Sequence, residues 1–593
     1  MKTRHTWLIA VLLILLVAVG IVTLGLIRPY DLRTFLNRAY LQILVNDPEE
    51  LTRTGLMPDW VPQWYEDDLT ELSPQAMERD SALLIDLLDQ FNTFDTSDLT
   101  EGNILGHGIF SWYLNKRVEG LRFAYHRYPV THINGPHIDI PDFMSRSHPL
   151  EEQSDCADYV ERLQKVPEKF LGVIDHLEEA RQRGIVPPSF IIEKVRDQCS
   201  RFASMPTAEH PLYTGFQERS RQIPGLDSAE REQYLSLVRS ELEDDVRPAY
   251  ARLSGYLDQL LTQSIAVAGV WQMPDGKAYY RYVLEWHCTR PIDPDSLFRV
   301  GQEQLKQQRL ALNDAATALG LRSDIPLSQL FAKVMPTDSL PDDTVIHFAR
   351  QIMDEATVAA EKVFDPFELP EMAIRTPQWR DPRSQPVALC EPFEPLTGQG
   401  ASLTLNTDAI RGSSGYSFRA HMYHEAVPGH HLQMSLERAL PDALLFQGRI
   451  QFTAYVEGWA MYSEKLADEL GLYGSATGRM GMIRADMLRT ARLMVDIGIH
   501  QKRWLRDQAV EFMMEKVGLT ESAAMAEVDR CVARPGHGCA YKVGEMHILA
   551  LRESEKKRLG DAFDIKAFHR EMLNGGAMPL SVLDAKLARS AQR

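Results

Sequence analysis

The chain has 593 residues, of which 44% are hydrophobic and 25% charged, a globular composition and not that of a disordered or collagenous chain. Lys and Arg total 64 against 82 Asp and Glu, a formal net charge of −18. That balance argues against bulk attraction to nucleic acid or to anionic lipid, and no nucleic-acid partner is expected.

The N-terminus reads as a membrane signal. Trp7 to Ile27 is an uncharged apolar run of 21 residues, preceded by Lys2 and Arg4. As a helix it spans roughly 30 Å, enough to cross a bilayer core. It is longer than the apolar part of a cleaved signal peptide. The expectation is an uncleaved, single-pass anchor over residues 1–30 that contacts the lipid bilayer through residues 7–27. A positive flank before the run points the remaining chain out of the cytoplasm. In a bacterium that is the inner membrane, with the rest in the periplasm. The six cysteines (Cys156, Cys199, Cys288, Cys390, Cys531 and Cys539) could form up to three disulfides there. They contain no CxxC, so a thiolate metal site is not expected.

Residues 31–270 are expected to be an N-terminal helical region and 271–593 a second one, the two forming one compact unit. In the first, Arg127 through Pro141-Asp142 reads as loop. Val160 to Leu163, Leu171 to Arg181 and Phe190 to Cys199 read as amphipathic helices, with Pro187-Pro188-Ser189 as a start signal. Ala229 to Ile265 reads as a long helical stretch broken near Pro248. Tyr279 to His287, Phe298 to Leu319 and Thr344 to Val363 follow as helices. Residues 365–400 are Pro-rich and irregular. Ala401 to Thr407 alternates apolar and polar residues, as a short strand does. Helices dominate from Tyr416 onward, and no internal repeat is visible. The class is mainly α, with one small strand element and a central cleft between two helical halves.

The chemistry concentrates in residues 421–457. His421, His424, His430 and His431 fall within eleven positions. His424-Glu425 resembles the start of HExxH, in which two imidazoles one helical turn apart bind zinc and the glutamate activates water. Position 428, where the second imidazole would stand, is Pro428. On an unbroken helix His430 leaves the His424 face, and His431 returns to it about 10.5 Å along the axis, too far for one ion. A bulge at Pro428-Gly429 would compress that spacing. His430 is preferred as the second ligand and His431 is the alternative. Glu457, on the next helical segment, is the third candidate. Two imidazoles and one carboxylate leave an open position, as a catalytic zinc requires. Glu464, two turns beyond Glu457, could support a ligand.

At this point the sequence resembles the bacterial DUF885 family. HEAxPGHHLQ is matched by His424 to Gln433, and AYxEGWA by Ala454 to Ala460. Arg492 to His500 and Pro535 to Gly544 match two further elements, and the similarity covers roughly 270–585. The resemblance extends to the all-helical zinc peptidases that include thimet-type oligopeptidases and carboxypeptidase Taq. It implies a helical metallopeptidase-like fold, one zinc ion (Zn2+) held by two His and one Glu, and a general-base glutamate. This sequence departs from the family pattern at Ile497, His537 and Gly538.

The function expected is zinc-dependent hydrolysis of amide bonds in small peptides, of carboxypeptidase or oligopeptidase type. Glu425 would be the general base. His500 and Tyr541 would donate to the developing oxyanion, with Asp496 orienting His500. Arg492 and Arg534 would hold a substrate carboxylate. His537 and Tyr455 would contact substrate, and Leu403-Thr404-Leu405 would hold an extended peptide by β-addition. The alternatives are a metal-dependent amidase on a non-peptide amide and a non-catalytic, membrane-anchored binding or assembly protein.

Overall fold

The computed structural model describes residues 31–57, 63–97, 99–322, 325–334, 342–376, 386–411 and 415–591. The expected anchor over residues 7–27 lies outside them. No helix among the described residues is long and apolar enough to cross a membrane. The described residues are mainly helical with one small three-stranded sheet, so the mainly-α class holds.

Helix starts follow local chemistry. Asp31, Ser73, Asp227, Asp293, Ser475 and Thr520 each accept a backbone N–H of the first helical turn. Each such cap is worth about 1 kcal/mol. Several segments differ from expectation. Residues expected as loop before Asp142 instead form the helix Pro136–Arg146, with Pro136 in the first turn where no N–H is needed. Fragments expected between 160 and 181 belong to one 30-residue helix, Gln153–Gln182, which runs through Pro167. The stretch around Pro248 is not broken. Ser228–Glu241 joins Arg247–Leu261 through one wider turn at Leu242–Val246, and Pro248 sits in the first turn after it.

Two large apolar cores organise the chain. One runs from Leu32 to Tyr128, takes in Ala180 and Ile185, and continues from Val270 to Leu587. The other lies within residues 69–260. The first core crosses position 270, so residues 32–123 pack with the C-terminal half. Phe110 meets Phe446 at 5.0 Å between ring centroids, and Trp112 meets Trp286 and Phe452 at 5.6 Å each. A smaller cluster joins Ile191 to residues 491–532.

The elements that build the site lie in the second half. Helix α1 (Gly276–Cys288) precedes a three-stranded sheet of β1 (Met372–Arg375), β2 (Ala388–Glu391) and β3 (Ala401–Leu405). The order is β1-β3-β2, with β1 parallel and β2 antiparallel to β3. Then come α2 (Gly415–Glu425), α3 (His430–Arg438), α4 (Thr453–Glu469), α5 (Ala476–His500), α6 (Glu521–Ala533) and α7 (His537–Leu559). Strand β3 is buried and paired on both sides. Leu403-Thr404-Leu405 therefore has no free edge for β-addition. All six cysteine thiols are buried and unpaired.

Candidate metal centre

The spacing problem at Pro428 is solved by two helices, not by one bulged helix. Helix α2 ends at Glu425, the Val427–Pro428 peptide is cis, and α3 begins at His430. Gly429 packs against the last turn of α2. A Cβ there would stand 1.9 Å from the His424 carbonyl oxygen and 2.5 Å from that of Tyr423, so only glycine fits. The connection is tied to α4: the Pro428 carbonyl accepts hydrogen bonds from Trp459 Nε1 (2.9 Å) and Ser463 Oγ (3.1 Å). The same helix carries Glu457 and Glu464.

His424, His430 and Glu457 converge, with donor atoms all within 4.8 Å of one another. His424 Nε2 is 3.3 Å, and His430 Nε2 3.6 Å, from Glu457 Oε2. Donors held about 2.1 Å from a tetrahedral ion stand about 3.4 Å apart, so both edges fit zinc. The two imidazoles lie at 84° with centroids 4.9 Å apart. His430 Nδ1 is buried without a hydrogen-bond partner among the described residues.

His424 is gripped from behind. Its Nδ1 is 2.9 Å from Glu464 Oε1, and Arg489 is 3.6 Å from that oxygen. A proton on Nδ1, donated to Glu464, leaves the Nε2 lone pair for a metal. Burial opposes charge on His424, but Glu457 and Glu464 overcome it and raise the pKa to about 9. Burial likewise opposes ionisation of Glu457, yet both histidines hold its carboxyl well below the usual range. A second group, Glu66, Asp155 and Asp158, contains no imidazole. Asp155 Oδ2 there accepts the Glu151 and Glu152 backbone N–H groups, at 2.6 and 3.0 Å.

Glu425 is half-buried and accepts the backbone N–H of Cys390 at 3.0 Å, from the outer edge of β2. Tyr541, on α7, stacks over His424 at 6.3 Å and 19°. Its hydroxyl has no hydrogen-bond partner among the described residues. Burial first, then the Glu457 charge, pushes its pKa up, so the hydroxyl stays protonated. His537 lies between His287 (5.2 Å) and Tyr541 (5.5 Å). Burial and the Arg534 charge lower its pKa to about 4.

Five expected site residues do other work. His431 Nε2 meets the Pro370 carbonyl at 3.1 Å and stands outside the convergent group, so His430 is the second ligand candidate. His500 spends both ring nitrogens on backbone. Its Nδ1 accepts the Val270 N–H (3.2 Å) and its Nε2 donates to the Cys531 carbonyl (3.1 Å), which leaves no donor for an oxyanion. Asp496 does not orient it; Asp496 accepts the Tyr280 hydroxyl (2.7 Å) and the Gly536 N–H (3.0 Å). Arg492 forms a bidentate pair with Glu527 (2.6 and 2.9 Å) below the Tyr541 ring. Tyr455 is a core residue whose hydroxyl donates to the Met572 carbonyl at 2.7 Å. Arg534 is half-buried and makes no ion pair among the described residues. Sequence reasoning missed Arg489 and the Cys390 amide; only Arg489, three residues before Arg492, carried a signal.

The profile of one family, described as "Bacterial protein of unknown function (DUF885)", matches residues 48–587. The chain belongs to the DUF885 family. Two solved structures share the DUF885 fold seen here. The crystal structure described as "the putative lipoprotein from Colwellia psychrerythraea" is 24% identical, with a TM-score of 0.90 over 95% of this chain and 99% of that one. A structure described as "a putative lipoprotein of unknown function from Shewanella oneidensis" is 16% identical, with a TM-score of 0.69 over 94% and 100%. No curated protein matches this DUF885 chain.

Proposed function

We propose that this protein is a zinc-dependent peptidase that hydrolyses amide bonds in small peptides. The observation that carries the reading is the convergence of His424, His430 and Glu457 next to a carboxylate, Glu425, that belongs to none of their mutual contacts. The donor set suits zinc, and His424, His430 and Glu457 would hold it. When bound, zinc supplies a Lewis acid that polarises a carbonyl and acidifies water.

The chain's own residues supply the rest. Glu425, oriented by the Cys390 amide, accepts the proton lost by the attacking water and returns it to the leaving amine. Tyr541 donates its hydroxyl proton in a hydrogen bond to the developing oxyanion. Glu464 keeps the His424 proton on Nδ1. The apolar N-terminal run and the lipoprotein descriptions of the two similar structures support an extracytoplasmic location, anchored in the bacterial inner membrane by residues 7–27.

The test is metal analysis and peptide-library digestion with the detergent-solubilised full chain. We expect about one zinc in wild type and in Glu425→Gln, and cleavage by wild type alone. No zinc after reconstitution would overturn the metal site and favour the binding or assembly role. Zinc without peptide cleavage would overturn the peptidase reading and turn the search to non-peptide amides.

A further inference from the structure

Arg530 and Arg534 stand out once every arginine around the metal centre is assigned. They sit one helical turn apart at the end of α6, where the Arg534 N–H bonds the Arg530 carbonyl at 3.1 Å. Both are half-buried. Neither guanidinium has an ion pair or a hydrogen bond among the described residues, and Arg530 Nε is shielded from solvent without a partner. Of the carboxylates on that helix, Glu527 is taken in bidentate fashion by Arg492 and Asp529 by Arg506 and Lys194. Glu464 is taken by His424 and Arg489.

The turn after Arg534 leads from this pair to the reacting centre. The turn Arg534-Pro535-Gly536-His537 is closed by a 3.2 Å bond from the His537 N–H to the Arg534 carbonyl. The His537 ring lies 5.5 Å from that of Tyr541, which stacks over His424. The charges of Arg534, Arg530, Arg492 and Glu457 all bear on His537. Arg127, exposed on the loop before Tyr128, adds a same-sign charge to Arg534, and Asp139 an opposite one. Burial, then Arg530, lower the basicity of Arg534.

A guanidinium stays charged at any physiological pH, so it cannot relieve such a position by losing its proton. Like charges one turn apart repel, and partial burial strips the water that would screen them. An anion delivered with the substrate removes both costs. In a chain of net charge −18, an unpaired cationic pair beside the metal centre is a local reversal of sign.

We propose that Arg530 and Arg534 form the subsite for a peptide carboxylate, the C-terminal one, and so set which amide bond reaches the metal centre. This deepens the peptidase reading and rests on it for the identity of the reacting bond. Arg492, tied to Glu527, is not part of the clamp. Arg534 is a substrate-binding residue through its fork-shaped bidentate geometry, which lysine cannot reproduce.

The test reads binding, separately from turnover. Full-length protein carrying Glu425→Gln is titrated calorimetrically with trialanine as free acid, as C-terminal amide, and as the amide with its middle residue changed to aspartate. We expect the acid to bind at least tenfold more tightly than the plain amide. Arg534→Gln and Arg530→Gln should each collapse that ratio, and Arg534→Lys should keep part of it. A structural role would instead weaken acid and amide alike. Tight binding of the aspartyl amide, lost in the same variants, would support the carboxylate site and make the side chain its source. Equal binding of acid and amide, absence of binding, or a ratio that survives the double Gln variant would overturn the subsite. An acid preference in a protein that cleaves no peptide would overturn the peptidase reading alone.

Discussion

Gly458 and Gly544 meet backbone to backbone where α4 crosses α7. A Cβ on Gly458 would stand 2.5 Å from the Gly544 Cα, and one on Gly544 would stand 1.8 Å from the Ala454 carbonyl oxygen. Glu457 immediately precedes the first glycine, and Tyr541 lies one turn before the second. The closeness of the two helices therefore sets how the metal-binding carboxylate faces the Tyr541 ring. Gly544→Ala should force the helices apart, at a cost of about 1–3 kcal/mol, and lower the bound zinc. Gly255→Ala is the control: that helical glycine is exposed with nothing within 4 Å of its Cβ direction. It should gain about 0.5–1 kcal/mol. Thermal midpoints and zinc stoichiometry of the two variants decide the matter. Full zinc and an unchanged midpoint in Gly544→Ala would contradict the argument.

Glu464 acts on the metal centre through His424. It accepts from Nδ1 at 2.9 Å, and Arg489 stands at 3.6 Å on the same oxygen. Glu464→Gln keeps an acceptor but removes the charge that raises the basicity of the ring. Zinc affinity should fall about 10–100-fold, measured by competition with a chromogenic chelator. An unchanged affinity would reduce Glu464 to a packing residue.

How much of this was legible in the sequence depends on how far each residue's partners lie along the chain. His424, Glu425, His430 and Glu457 were readable because imidazoles and carboxylates gathered in 34 residues have few structural uses. The way the spacing is solved was not. The Pro428 carbonyl is fixed by Trp459 and Ser463, on another helix, so no local pattern announces the break between α2 and α3. His500, Arg492 and Tyr455 were read as functional from their motifs. Their hydrogen-bonding capacity is consumed by Val270, Cys531, Glu527 and Met572, none of them close in sequence. Strands β1 and β2 are four residues each, too short for alternation to show, and β2 supplies the amide that orients Glu425.

Lys542 anchors a buried ionic network behind the centre. It pairs with Asp486 at 2.6 Å and with Glu545, and Lys465 bridges the same two carboxylates at 3.2 and 3.1 Å. The network joins α4, α5 and α7. Lys542→Met would leave Asp486 and Glu545 sharing one partly exposed lysine. Breaking a buried pair in this way costs about 3–5 kcal/mol, so denaturant midpoints should fall sharply. Replacing Lys542, Asp486 and Glu545 together by apolar residues of similar size should recover part of the loss. A single variant as stable as wild type would show that the network carries no net energy.

Glu437 gives the chain a pH-dependent stability term away from the zinc ligands. It is 3% exposed, and neither carboxylate oxygen has a hydrogen-bond partner among the described residues. Burial raises its pKa from 4.5 to about 7, and the neighbouring Arg438 offsets only part of that. Between those values the folded chain keeps a proton that the unfolded chain has released. Stability from this group is therefore full below pH 4.5 and falls as the pH rises to about 7. The full span is worth at most about 3 kcal/mol. Glu437→Gln cannot ionise, so it should be close to wild type at pH 4.5 and more stable than wild type at pH 8. Urea midpoints at the two pH values measure the difference. A variant that loses equal stability at both would show that the carboxylate is paired in the folded state and that its burial carries no penalty.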